Sequence, residues 1–284
     1  MEVKGTTQVY GLIGNPVSHT LSPMLHHALA ESEERNMVYV PFLVEGNLPD
    51  AVKGAYELGI QGMNVTVPHK NQVLDSLVEV DHLAKALGAV NTLVRVTGGY
   101  AGYNTDIIGL RRALLEEGIT IAGETIVILG AGGAGRGAAF MCANEKAKKV
   151  YLLNRTYEKA EEIAKQVNLY NGSEVVVPLQ LSSYATIEES SYIAIQASSV
   201  GLSNPEQVIL EEEEFYERVQ VGYDMVYKPF ETKFMKLVES KGKKAYNGLK
   251  MLLYQGVASY ELWNSCVIPE EVSTSLYDKM KMQI

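Results

Sequence analysis

The sequence predicts an α/β protein of two blocks, each built on its own sheet. Three observations carry that expectation. Short runs rich in β-branched and aromatic residues alternate with segments whose apolar residues recur every three or four positions. A strand-like run at 125–129 passes into closely spaced glycines and then an alanine-rich helix. And 284 residues suit two domains of ordinary size better than one small core.

In the first block the strand candidates are "QVYGLIG" (8–14), "VYVPFLV" (38–44), "GMNVTV" (62–67) and "TLVRV" (92–96). Between them, "SPMLHHALAES" (22–32) and "PDAVKGAYELG" (49–59) have helical spacing. Ser22 before Pro23 predicts an N-cap with proline in the first turn, and Gly59 predicts a helix stop. A second block opens at Asp106 with the helical "DIIGLRRALLEEG" (106–118). Its strand candidates are 125–129, 149–153, 174–177, 192–196 and 221–225, with a helix over 157–168. "LEEEEFYER" (210–218) reads as a solvated helix or loop. The closing helix, "GLKMLLYQGVASYELW" (248–263), caps the second block or returns to the first; spacing leaves both open.

Composition narrows the function classes. A 46% hydrophobic and 21% charged chain is that of a soluble globular protein. A formal net charge of −9 with no basic run disfavours nucleic acid. "MEVKGTTQVYG" lacks a signal-peptide layout and no apolar run reaches a membrane span, so a cytoplasmic protein is expected. Cys142 and Cys266 stand apart, with no histidine base at motif spacing. His19, His26, His27, His69 and His82 show no HExxH or His-x-His spacing, so no metal is expected. His26 and His27 read as packing or surface residues, His69 as a loop histidine.

"TIVILGAGGAGRGAAF" contains the chemistry of the second block. In the loop Gly130–Ala131–Gly132–Gly133–Ala134–Gly135, one glycine permits the turn, a second admits a pyrophosphate, and a third lets helix pack on strand. Free N–H groups at the helix start then hold negative charge. A dinucleotide is expected. The next strand ends at Asn154–Arg155–Thr156, where an NAD enzyme usually has an acidic residue. Arg155 instead suits a 2′-phosphate, with Lys159 as a second cation, so NADP is favoured.

With a nicotinamide cofactor expected, Lys70 in "NVTVPHK" (64–70) gains a plausible role. Reducing a ketone leaves an alkoxide that must gain a proton, and a lysine beside the oxygen both stabilises it and supplies the proton. Asp106 in "GYNTD" (102–106) is its candidate partner. Taken singly, Lys70 reads rather as a solvated surface residue and Asp106 as the N-cap of the helix it begins.

Taken together, the motifs change that balance. "GNPVSHTLSPMLHH" (14–27), "NVTVPHK", "GAVNTL" (88–93), "GYNTD", "GAGGAG" (130–135), "NRT" (154–156), "YDMVY" (223–227) and "GLKMLLYQG" (248–256) occur in an order that resembles the shikimate dehydrogenase family along essentially the whole chain. The resemblance implies a substrate domain over 1–105, completed by a returning segment 247–284. A Rossmann-type NADP domain over 106–246 would be separated from it by a cleft. It implies reversible, NADPH-dependent reduction of 3-dehydroshikimate to shikimate, a step of aromatic amino-acid biosynthesis. Lys70 becomes the acid/base and Asp106 its partner. Asn64, Thr66, Asn91, Tyr227 and Gln255 become substrate contacts, with Thr20 and Ser22 on the carboxylate. Met225 and Gly248 would lie beside the nicotinamide. A monomer or a homodimer is compatible with all of this.

Three departures stand out. Thr20 replaces the usual serine, Lys159 replaces a common arginine, and "IQASSVGL" (195–202) differs from the family's usual Asn-Ala/Thr-Thr-Ser/Pro-Val-Gly-Met. The first two make a quinate/shikimate dehydrogenase using NAD the nearest rival. A methylenetetrahydrofolate dehydrogenase would need a tyrosine four residues before Lys70, where Thr66 stands. A non-catalytic NADP-sensing module would have no need of Lys70 and Asp106.

Overall fold

The computed structural model describes residues 3–284. The chain divides into two α/β units, Met1–Gly109 with Leu252–Gln283, and Leu110–Met251.

The first unit opens with β1 (Gln8–Gly14), α1 (Ser22–Ser32), β2 (Met37–Leu43), α2 (Leu48–Glu57) and β3 (Gly62–Val65). A two-residue strand β4 (Glu79–Val80) and α3 (His82–Leu87) follow. The hairpin of β5 (Thr92–Val96) and β6 (Gly99–Tyr103) then leads into α4 (Thr105–Glu116). The sheet order is β2-β1-β3-β5-β6-β4. β1 runs parallel to β2 and β3, whereas β5 is antiparallel to both β3 and β6. This mixture decides where the site forms. Because β5 runs backwards, its start lies level with the ends of β3 and β6: Asn64 pairs with Thr92, and Thr92 with Tyr103. The segments after β3, before β5 and after β6 therefore converge at one end of the sheet.

The second unit contains β7 (Thr125–Leu129), α5 (Gly133–Asn144), β8 (Lys149–Asn154), α6 (Tyr157–Asn171) and β9 (Val176–Gln180). It continues through β10 (Tyr192–Gln196), α7 (Glu213–Glu217), β11 (Val219–Asp224), α8 (Lys233–Ser240) and β12 (Lys244–Tyr246). All of its strand pairs are parallel, in the order β12-β11-β10-β7-β8-β9. Every residue of β7 and β10 is buried, the near-continuous apolar signature of strands covered on both faces. Read from its far edge the order is 3-2-1-4-5-6, a doubly wound sheet whose direction reverses between β7 and β10.

The last helices are α9 (Leu249–Asn264) and α10 (Glu270–Lys281). Leu252–Gln283 group with the first unit, so α9 begins in the second unit and continues in the first. Close approaches there need glycine. A Cβ on Gly62 would lie 2.3 Å from Trp263 Nε1, and one on Gly256 2.3 Å from Leu25 Cδ2. Trp263 Nε1 donates to Leu93 O at 2.9 Å, so its indole both packs and pairs as it crosses the sheet.

Several expectations need correction. Ser22 does not cap α1: Leu21 is already in the helical region (φ −87, ψ −6), so Ser22 is the first helical residue. Asp106 does not cap α4 either. Asn104 Oδ1 accepts from Asp106 N at 3.1 Å and from Ile107 N at 3.4 Å, which leaves the Asp106 carboxylate free for other work. The strand expected over 62–67 ends at Val65, and that expected over 174–177 is Val176–Gln180. "LEEEEFYER" is solvated only in part, because Leu210, Phe215 and Tyr216 are buried. Among the described residues no helix is long and apolar enough to cross a membrane.

Candidate active site

Lys70 emerges on a segment that its neighbours hold down. His69 is buried rather than a free loop residue, with Nε2 2.9 Å from Val44 O. His69 N donates to Thr66 O, and Val90 N donates to Lys70 O. From this platform Lys70 Nζ reaches Asp106 Oδ2 at 2.7 Å, both side chains being about 30% exposed (30% and 28%). The other carboxylate oxygen, Oδ1, accepts from Asn91 Nδ2 at 2.9 Å.

The orientation of Asn91 follows from its surroundings. Thr105 N, which can only donate, lies 2.7 Å from Asn91 Oδ1, so the amide nitrogen must face Asp106. Asn64 is fixed in the same manner: its Nδ2 faces the carbonyl of Asn91 at 3.2 Å, and its Oδ1 accepts from Tyr39 OH at 2.8 Å. Burial holds the Tyr39 phenol well above its ordinary pKa, which keeps it a donor. The register therefore brings Lys70, Asp106, Asn91 and Asn64 into one hydrogen-bonded group.

Thr66 is half-buried at the end of β3, and Gly14 makes room for it, since a Cβ on Gly14 would fall 2.3 Å from Thr66 Cγ2. Thr20 Oγ1 donates to Ser22 Oγ at 3.0 Å and accepts from Ser22 N at 3.2 Å. The two hydroxyls thus sit side by side at the start of α1, whose N-cap residue, Leu21, has no side chain that can cap the helix. Gln255, on α9, turns its amide nitrogen onto Leu252 O at 2.8 Å.

In the second unit the glycine loop lies at the sheet's switch point. Gly130 has φ +112, a conformation that favours glycine. A Cβ on Gly135 would lie 1.9 Å from Gly130 O, so only glycine lets α5 pack this closely on the strand end. Gly132 and Gly133 have open space where side chains would be, and Ala134 is exposed. This is a cradle lined by backbone. Asn154 Oδ1 accepts from Ala131 N at 3.1 Å and Asn154 Nδ2 donates to Thr156 O, which ties β8 to the loop. Arg155 and Lys159 are exposed at that strand end, and none of Asn154–Arg155–Thr156 is acidic. The loop, the helix start and the cationic strand end fit a dinucleotide carrying an extra phosphate.

Met225 and Gly248 approach closely, since a Cβ on Gly248 would lie 2.2 Å from Met225 O. Tyr227 is half-buried nearby in sequence, its phenol pKa raised by burial. The adjoining loop, in which the chain departs from the family pattern, is held by Gln196. Its Nε2 donates to Val200 O and Asp224 Oδ1, and its Oε1 accepts from Ser198 N. Asp224 is fully buried, accepts from Thr232 Oγ1 and Val226 N as well, and burial pushes its carboxyl up to about 6.

A mixed-sheet unit bearing a lysine–aspartate pair, joined in one chain to a doubly wound unit with a dinucleotide cradle, is the architecture of a two-domain nicotinamide oxidoreductase class. The particular family follows from comparison with known proteins. Residues 12–93 match the Shikimate dehydrogenase substrate binding domain, 113–217 Shikimate / quinate 5-dehydrogenase, and 248–272 Shikimate 5'-dehydrogenase C-terminal domain. The shikimate dehydrogenase (NADP(+)) of Desulforamulus reducens is 38% identical over 282 residues, covering 98% of this chain and 97% of that protein. A crystal structure of shikimate 5-dehydrogenase from Thermus thermophilus, in complex with NADP(H) and shikimate, superposes with a TM-score of 0.83 at 32% identity, covering 96% and 99% of the two chains. Quinate dehydrogenase from Corynebacterium glutamicum, in complex with NAD, gives 0.87 at 27% identity over 96% and 99%. The chain belongs to the shikimate dehydrogenase family.

Proposed function

We propose that this protein catalyses the reversible NADPH-dependent reduction of 3-dehydroshikimate to shikimate in the cytoplasm, as a monomer or a homodimer. The observation that carries the reading is the Lys70–Asp106 pair, 2.7 Å apart, in a chain of this family. Bound NADPH would supply the hydride. Lys70 supplies the proton: its ammonium has three N–H donors, of which the Asp106 contact uses one, leaving others for the substrate oxygen. As the ketone carbon accepts hydride, Lys70 transfers a proton to the developing alkoxide; the reverse reaction returns it. Asp106 holds the ammonium in place through Oδ2, is itself held by Asn91 through Oδ1, and retains lone pairs for a substrate hydroxyl.

The remaining assignments belong to the same proposal. Thr20 and Ser22 take the substrate carboxylate at the start of α1, aided by the positive end of the helix. Asn64, Thr66, Asn91, Gln255 and Tyr227 contact the substrate. Gly130–Gly135 and Asn154, Arg155, Thr156 and Lys159 hold NADP, with Met225 and Gly248 beside the nicotinamide ring. The substrate domain corresponds to the first unit and the cofactor domain to the second.

The experiment is NADPH formation followed at 340 nm with shikimate and NADP⁺, with quinate and NAD⁺ in parallel arms. Turnover confined to shikimate with NADP⁺ supports the reading. Equal or faster turnover of quinate with NAD⁺ replaces it with the second reading, which Thr20 in place of serine and exposed Lys159 in place of arginine favour. Cofactor binding without turnover of either acid points to a sensing module.

A further inference from the structure

Behind the proposed catalytic pair lies a group of three hydroxyls to which no role has been given. Thr92 at the start of β5, Thr105 at the start of α4 and Ser259 on α9 are each 0% exposed. Their oxygens form a triangle: Thr92 to Ser259 2.8 Å, Thr92 to Thr105 3.1 Å, and Thr105 to Ser259 3.1 Å. Thr92 and Thr105 are 13 residues apart, and Ser259 reaches them from 167 and 154 residues further along the chain.

Counting protons orders the triangle. Each hydroxyl has one proton to give and two lone pairs to fill. Ser259 Oγ lies 2.9 Å from Gln255 O, a carbonyl that can only accept, so the serine proton goes there. Ser259 must then accept across its 2.8 Å contact, which makes Thr92 a donor. Thr105 Oγ1 accepts from Asn91 Nδ2 at 3.0 Å, and its own proton has two acceptors at 3.1 Å, Thr92 Oγ1 and Asn91 Oδ1. The donors run from the Asn91 amide to Thr105, and from Thr92 through Ser259 to the Gln255 carbonyl. Ser259 fills its second lone pair from Asn64 Nδ2 at 2.9 Å.

We infer that Ser259 is a positioning residue for the reaction, anchoring α9 to Asn64 and, through Thr92 and Thr105, to the Asn91 amide that holds Asp106. The inference rests on the proposed shikimate reaction. Ser259 touches neither Lys70 nor Asp106; it acts by giving Asn64 and Thr92 an acceptor and by holding the turn of α9 that contains Gln255. Removing its oxygen leaves two buried donors to find new partners. Thr92 then turns to Asn91 Oδ1 at 3.1 Å, and Asn64 Nδ2 to the Asn91 carbonyl and Thr92 Oγ1, each at 3.2 Å, which shifts both asparagine amides.

Two variants test this. Ser259→Ala removes the hydroxyl, and Ser259→Cys nearly keeps the volume but loses the strong acceptor. Both are expected to raise KM for shikimate about tenfold, the factor one lost buried hydrogen bond typically carries, while KM for NADP⁺ stays unchanged. Ser259→Thr, which restores the hydroxyl, is expected to recover most of the loss. In the free protein, the side-chain amide NMR signals of Asn64 and Asn91 should move in Ser259→Ala, whereas that of Asn168 in the other unit should not. If Ser259→Ala does not fold, Thr92→Val breaks the same series one link earlier and should show the same split in KM. Unmoved Asn64 and Asn91 signals, or equal changes in both KM values, overturn the inference. A wild-type protein without turnover of shikimate sinks the functional reading instead, and the amide signals then decide the positioning role alone.

Discussion

The two units prepare their sites by opposite means. In the first, side chains hold side chains: Asp106 is placed by Asn91, Asn91 by the Thr105 backbone, and Asn64 by Tyr39 and Ser259. In the second, the backbone itself is the surface, and the decisive residues are those with no side chain, Gly130, Gly132, Gly133 and Gly135. A site of the first kind should lose function by degrees as hydrogen bonds are deleted. One of the second kind should fail when atoms are added.

Gly135→Ala sets the far end of that comparison. Its Cβ would lie 1.9 Å from Gly130 O and 2.9 Å from Gly130 C, and backbone atoms cannot step aside as a flexible side chain would. The expected cost is about 3 kcal/mol or more, at or beyond the usual limit of overpacking, together with loss of NADP⁺ binding. A variant with the wild-type Tm and NADP⁺ affinity would mean that α5 shifts freely, and the contrast between the units would lose its basis.

Lys70→Ala comes next and tests the side-chain site. If Lys70 transfers the proton, kcat falls roughly 100-fold, about 2.7 kcal/mol of barrier, while KM for shikimate moves little. Stability should barely change, because the pair is about 30% exposed (30% and 28%) and such ion pairs contribute little. An unchanged kcat removes Lys70 from the mechanism.

Arg155→Ala is smaller still and falls on one of the second unit's two proposed cationic contacts, Arg155 and Lys159. Losing a charge-assisted contact to a 2′-phosphate should weaken NADP⁺ about tenfold or more and leave NAD⁺ unaffected. Parallel losses for both cofactors would place Arg155 on a phosphate they share.

The same contrast explains what could be read from the sequence. The glycine loop was legible because its residue types and spacing are the geometry: a turn at Gly130, open backbone at Gly132, close packing at Gly135. β7 and β10 were legible as continuous apolar runs. β6, "GYAGY", was not, since its glycines and small residues carry no period-two alternation, and β4 and β12 are too short to show one. In the first unit Lys70, Asp106 and Asn91 stand in motifs that resemble those of the family, whereas nothing in the sequence marks a role for Tyr39, Thr92, Thr105 and Ser259. Their roles arise from strand register and from a helix 150 or more residues away in the chain (Thr105 and Ser259 are 154 apart), and buried threonines and serines have no pattern of their own. Gln196 was set aside as a departure from the usual asparagine; only the Asp224 contact reveals its role.

The last test reads the two units against each other through pH. His26, in the first unit, is fully buried and stacked on Tyr39 at 4.2 Å, and neither ring nitrogen has a hydrogen-bond partner among the described residues. Burial depresses its pKa to about 3. The unfolded chain takes up this proton near pH 6.5 and the folded one does not, so stability from this group is present above 6.5 and is lost as pH falls, by about 1.4 kcal/mol per unit. Asp224, in the second unit, has the opposite sign. Its folded pKa is raised to about 6 from 3.8, so the folded state holds its proton longer and stability is lost as pH rises between those values, at a similar slope. Between about pH 4 and 6 the two contributions oppose, and a single global melt of the wild type hides both. Relative to wild type, His26→Phe should therefore gain stability as pH is lowered from 6.5, whereas Asp224→Asn should gain it as pH is raised from 4 to 6. Hydrogen exchange resolved by unit should place the first effect in β1, β2 and α1 and the second in β10 and β11. Curves for both variants parallel to the wild type would show that neither buried group is perturbed, and that the units share one response to acid.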